Sequence, residues 1–188
     1  MTLPFEEYLI KAVFEIVNQS SFLRLIVIFL GSALPWIIII WFITTVLYIK
    51  SFKLKFYYFA IAIISVIISR GFIVEAVHNV FYFPRPFEVF NVTPITSSAL
   101  TSGLLSEYMA LLIPVALVFV LINKKSGIVA ISLVILTGIA GTAAGIYWIS
   151  ALLFGLFIGI LSFLFVKKIL PSISSIVPDI LPKVIEKD

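Results

Sequence analysis

Arg70, Glu75, His78 and Glu107 are ionisable side chains set inside apolar sequence, and these positions are where the chain can do chemistry. An ionisable group within a membrane span is costly and by default marks function. Glu75 and His78 are three residues apart, which puts them on one face of a helix. Arg70 lies deeper, where Glu75 or Glu107 could neutralise it. Two readings stay open at this point. One is a polar pocket that opens outward and holds an anion or a proton. The other is a structural ion pair of Arg70 with a glutamate beside a hydrogen-bonded histidine. One histidine and two glutamates are a sparse donor set for a metal, so no metal and no cofactor are expected.

A second group clusters around the connections. His78 is followed, after six residues, by Arg85-Pro86-Phe87. Ser102-Gly103 opens a further apolar run, where free backbone N–H groups and the helix dipole favour an anion. Tyr147 and Trp148 stand at a corner between two later runs. Taken singly, these are a turn, a helix start and an aromatic belt. Taken together they can converge on one phosphate-sized ligand.

The elements that must carry these residues are membrane helices. Of 188 residues 62% are hydrophobic and 12% charged, against about 25% charged in soluble domains. With a mean hydropathy of +1.25, that excludes a soluble enzyme, a disordered chain and a fibrous repeat. Cysteine is absent, so there is no disulfide or thiolate site. The net charge of +4 rests on thirteen basic residues, mostly in short clusters, which read as topology signals and not as a nucleic-acid surface.

The first twenty residues, with Glu6, Glu7 and Glu15 against Lys11, do not read as a signal peptide. Their apolar stripe Leu9/Ile10, Val13/Phe14 and Val17 predicts an interfacial or packed helix. Spans are expected over 25–49, kinked at Pro35, over 56–82, and from Ser102 to Ile122. The uncharged run 126–166 is roughly 60 Å as helix and must turn once, near Gly141–Gly145 to Ser150. That makes about five transmembrane helices. Lys50, Lys53 and Lys55, then Lys124 and Lys125, then Lys167 and Lys168 all fall on one side, which the positive-inside rule makes cytoplasmic. The N-terminus, the 83–101 loop and the Tyr147 corner then face outward. One transmembrane domain, 1–168, is expected, followed by a cytoplasmic-side amphipathic tail, 169–188, broken by Pro178 and Pro182.

These residues resemble the type 2 phosphatidic acid phosphatase superfamily, which includes undecaprenyl-diphosphate phosphatases. The family's first motif, lysine, six residues, arginine-proline, has its counterpart in His78 to Arg85-Pro86, with His78 in place of the lysine. Its second, proline-serine-glycine-histidine, has its counterpart in Thr101-Ser102-Gly103-Leu104, where only Ser102 and Gly103 match. Its third, serine-arginine, five residues, histidine, three residues, aspartate, is met in spacing by Ala140-Gly141, Tyr147 and Ala151, with Gly155 following. The resemblance covers most of residues 14–166. It implies phosphate-binding positions at Arg85, Ser102, Gly103 and His78, and catalytic positions at Leu104, Tyr147 and Ala151. The last three carry neither the family's histidines nor its aspartate. Loss of general acid–base help typically costs about 10²–10⁴-fold, and the covalent route disappears with its nucleophile.

The expectation is therefore an all-α integral membrane bundle that is no longer an enzyme in the family's sense: a silent homologue that binds a lipid phosphate or diphosphate, or scaffolds a membrane-protein partner or a second copy of itself, in the plasma membrane. Two alternatives are an active phosphatase with a site relocated to His78, Glu75 and Glu107, and a lipid-phosphate carrier or flippase using Arg70, Glu75 and Glu107.

Overall fold

The computed structural model describes residues 4–95 and 105–174. All regular elements among them are helical, and we number seven: α1 (Pro4–Gln19), α2 (Ser21–Leu47), α3 (Phe52–Val80), the single turn α4 (Pro86–Val89), α5 (Glu107–Ile122), α6 (Lys124–Ala143) and α7 (Ile149–Ser174). Four of them, α2, α3, α6 and α7, are long and apolar enough to cross a membrane. The protein is an integral membrane protein. The expected third span is the shorter α5, whose 16 residues make about 24 Å of helix. It begins at Glu107 behind an N-cap hydroxyl, Ser106 Oγ, which accepts the Met109 N–H at 3.4 Å. Ser102, Gly103 and Leu104 lie outside the described residues, as does most of the 169–188 tail. The last helix runs unbroken through 168–169 to Ser174.

Apolar side chains face both ways: Ile38, Phe42, Ile61, Val134 and Phe163 are buried, while Trp36, Phe72, Leu153 and Phe157 face outward, and Ser65, Ser69, Thr137 and Ser162 are buried with the core. α5 is covered on every side: Met109, Leu112, Ile113, Ala116 and Phe119 are all buried. A helix apolar on every side belongs at the centre of a bundle, and α5 sits there, packed on α2, α3, α6 and α7. Trp41 and Phe42 of α2 close on Phe119 with ring centroids 4.4 and 5.6 Å away. Gly155 of α7 lets that helix approach the start of α5. A Cβ there would come 2.6 Å from the Ser106 carbonyl oxygen, beside the Ser106 N–H to Ala151 carbonyl bond of 3.0 Å.

Two long helices contain π-helical turns, Phe29–Ala33 in α2 and Ile67–Val74 in α3. Such turns insert a residue into the helical register and re-aim the side chains beside them. The first precedes Pro35, where the sequence led us to expect a kink. The second carries Ser69 and Arg70 to face α5.

α1 is a packed helix. Its stripe Ile10, Phe14 and Val17 is buried, with Ile10 against Trp148 and Ala151, and Phe14 and Val17 against the 143–147 segment. Glu6, only 6% exposed, accepts the Ser150 N–H at 2.8 Å and the Ser150 hydroxyl at 3.1 Å. It thus caps α7 from a residue 144 positions away, placing a carboxylate at the positive end of the helix dipole.

Candidate functional site

Arg85 is held first by its own short turn. Pro86 supplies the pre-set φ of a first helical position, and the Glu88 carboxylate accepts the Arg85 N–H at 2.8 Å. The segment is then tied to the α6–α7 connection. Phe87 N–H donates to the Gly145 carbonyl at 3.0 Å, and Trp148 Nε1 donates to the Pro84 carbonyl at 2.9 Å. Gly145 takes φ +77°, a conformation that favours glycine and lets the chain reverse there. These bonds place Arg85 inside the bundle end at 1% exposure.

Among the described residues, a carboxylate and a ring stand beside its guanidinium. Arg85 Nη2 is 3.8 Å from Glu107 Oε1, and the guanidinium carbon lies 5.3 Å from the centre of the Tyr147 ring, within cation–π range. Glu107, at the first turn of α5, is the hub of the site. Its Oε2 accepts from Arg70 Nη2 at 2.7 Å, while Oε1 stands 3.9 Å from His78 Nδ1. The other amino group of Arg70 bonds Glu75 at 3.0 Å. The His78 ring is buried, and neither nitrogen makes a hydrogen bond of good geometry among the described residues. Arg70, Glu75, His78, Arg85 and Glu107 are thus one connected cluster.

Ser69 aims that cluster. Pro114 has no N–H to offer the carbonyl four residues back, that of Ala110. The Ser69 hydroxyl donates to it instead, at 2.7 Å. Unsatisfied backbone carbonyls are expensive in a bilayer, so this bond fixes α3 to α5 one residue from Arg70 and three from Glu107. No motif singles out Ser69. The signal was present: a proline inside a span frees a specific carbonyl that some neighbouring donor must satisfy.

Around Tyr147 the space is filled. Tyr147 is 4% exposed, with its ring edge-on to Tyr108 at 6.4 Å. A Cβ on Gly141 would come 2.8 Å from Tyr147 Cδ2, so the tyrosine ring occupies the volume a side chain at 141 would need. Burial, reinforced by the Glu107 charge, raises the Tyr147 hydroxyl above its ordinary value. Ala151 is 1% exposed and packs under Ile10 and Trp148. Among the described residues no group of three or more histidine, cysteine, aspartate or glutamate side chains could hold a metal.

The chain resembles a phosphatase of known structure. It aligns with the crystal structure of the first transmembrane PAP2 type phosphatidylglycerolphosphate phosphatase from Bacillus subtilis at 16% identity and a TM-score of 0.48. The alignment covers 92% of this chain and 80% of that one. No protein-family model and no curated protein matches the sequence.

Proposed function

We propose that the protein is a catalytically silent membrane relative of lipid-phosphate phosphatases, which scaffolds a membrane partner and does not turn over a lipid phosphate. One observation carries this reading. Tyr147, where the resembling chemistry needs an attacking histidine, is buried against Gly141 and Arg85, and Ala151 offers no carboxylate to orient or activate it. A phenol whose pKa is raised by burial is a poorer nucleophile at neutral pH than an ordinary one, which is already weak. The pairing of Glu107 with Arg70 and its approach to Arg85 also favour a closed site over one awaiting a lipid phosphate.

The relocated-site reading has one observation in its favour, the 3.9 Å approach of His78 Nδ1 to Glu107 Oε1. A histidine beside a carboxylate is the arrangement of an activated base or nucleophile. A single assay separates the two. Purified protein in nanodiscs is given phosphatidic acid, phosphatidylglycerolphosphate and undecaprenyl diphosphate, and released phosphate is measured against empty nanodiscs. The silent reading expects no difference. Steady release that disappears in His78→Ala would replace it with the relocated site.

A further inference from the structure

The polar cluster has the composition of an anion site. Two guanidiniums and an imidazole, from three separate places in the chain, approach a single carboxylate group. Arg70 comes from the π-helical turn of α3, His78 from the last turn of that helix, and Arg85 from the start of α4. Distances from Glu107 oxygens are 2.7 Å to Arg70, 3.9 Å to His78 and 3.8 Å to Arg85. Only the first is a hydrogen bond; the other two are at ion-pair range. Glu75, the remaining charge, binds the opposite side of Arg70 and its side chain is 53% exposed. Tyr147 closes the Arg85 side with its ring.

The His78 ring provides an independent observation. Its side chain is 5% exposed; the Leu105 backbone lies beside the ring, but neither buried nitrogen makes a hydrogen bond of good geometry among the described residues. A buried ring nitrogen left in this way is unusual in a native interior. It faces the Glu107 carboxylate at a distance that a larger, multi-oxygen anion would bridge.

We infer that Glu107 is a tethered anion: its carboxylate takes the place of an external oxyanion between Arg70, His78 and Arg85, and holds the site shut. Removing it creates a site for a carboxylate- or phosphate-type oxyanion, whether free in solution or carried on a lipid headgroup. This deepens the silent-scaffold reading by naming what keeps the site closed, but it stands on binding and not on turnover. Phosphate release by the wild type would end the silent reading and leave the tether untouched.

The test is rescue of stability by an added anion. Wild type, Glu107→Ala and Glu107→Asp are placed in phosphatidylcholine nanodiscs, and their thermal unfolding is followed with and without inorganic phosphate or acetate. A parallel arm adds phosphatidic acid to the nanodiscs. Glu107→Ala is expected to melt below wild type and to regain several degrees with an oxyanion at concentrations that leave wild type and Glu107→Asp unmoved. Rescue by soluble phosphate identifies a water-accessible site, and rescue by phosphatidic acid alone identifies a headgroup site. Both support the inference. Equal shifts in wild type and Glu107→Ala overturn it, as does no shift in either arm. Glu107→Gln, nearly isosteric, is run beside Glu107→Ala; if neither variant folds with or without anion, the inference is also overturned.

Discussion

Arg70 bridges two glutamates at nearly equal distances, 2.7 Å to Glu107 and 3.0 Å to Glu75, and the two bonds should differ greatly in worth. At an effective dielectric near 20, the gross Coulomb attraction is about 6 kcal/mol at the shorter distance and about 5.5 at the longer. Length therefore does not separate them. Burial does: the Glu107 side chain is 19% exposed and that of Glu75 53%. A half-exposed pair is screened and contributes about 0.5 kcal/mol or less. The Arg70–Glu107 coupling is expected at about 1–3 kcal/mol, typical of contacting residues within one polar network. The assay is a pair of double-mutant cycles, Arg70→Gln with Glu107→Gln and Arg70→Gln with Glu75→Gln, read by SDS-induced unfolding in mixed micelles. Single loss of Glu107 should cost roughly 2–3 kcal/mol, below the ~3–5 kcal/mol of a fully buried pair because part of this one is exposed. Equal couplings in the two cycles, or a larger one for Glu75, would refute the claim that Glu107 is the hub.

Three further outcomes follow from the same geometry. Ser69→Ala leaves the Ala110 carbonyl without its donor and should destabilise the bundle by about 1–2 kcal/mol, seen as a lower SDS midpoint; Ser69→Thr should recover part of the loss. Gly155→Ala drives a methyl toward the Ser106 carbonyl and should cost about 1–3 kcal/mol by overpacking, checked by thermal unfolding. The raised Tyr147 hydroxyl gives a sign for alkaline pH. Between its unfolded value of about 10 and its higher folded value, the folded state binds more protons, so stability falls as pH rises through that window. Tyr147→Phe should flatten this fall in unfolding measured from pH 8 to 11, while an unchanged slope would contradict the burial argument.

The spans were legible because lipid imposes length and hydropathy on any crossing helix. The turn between α6 and α7 was legible for the same reason, since the uncharged run 126–166 is twice too long to cross once. The packed stripe of α1 could be read from its period but its partner could not. The same spacing serves a lipid surface or a protein groove, and Glu6 reaches Ser150 across 144 residues with no local signal. Of the two readings left open for the intramembrane charges, the ion pair is present, and Arg70 meets both glutamates instead of one. Hydropathy alone could not decide this, because the π-helical turn at Ile67–Val74 sets where Arg70 points. That turn leaves no trace in the apolar pattern. Gly141 and Tyr147 were legible as departures from a motif, whereas their mutual exclusion in space is a fact of packing. α5 is shorter than the span expected from Ser102 because it starts at Glu107, behind the Ser106 hydroxyl that caps it.

Whether this bundle, with its charged cluster around Glu107, can attack phosphorus is decided by a single-turnover experiment, with protein in excess over ³²P-labelled phosphatidic acid in nanodiscs and free phosphate followed for hours. A silent protein gives a trace indistinguishable from nanodiscs without protein. Release of labelled phosphate approaching one equivalent overturns the proposed function.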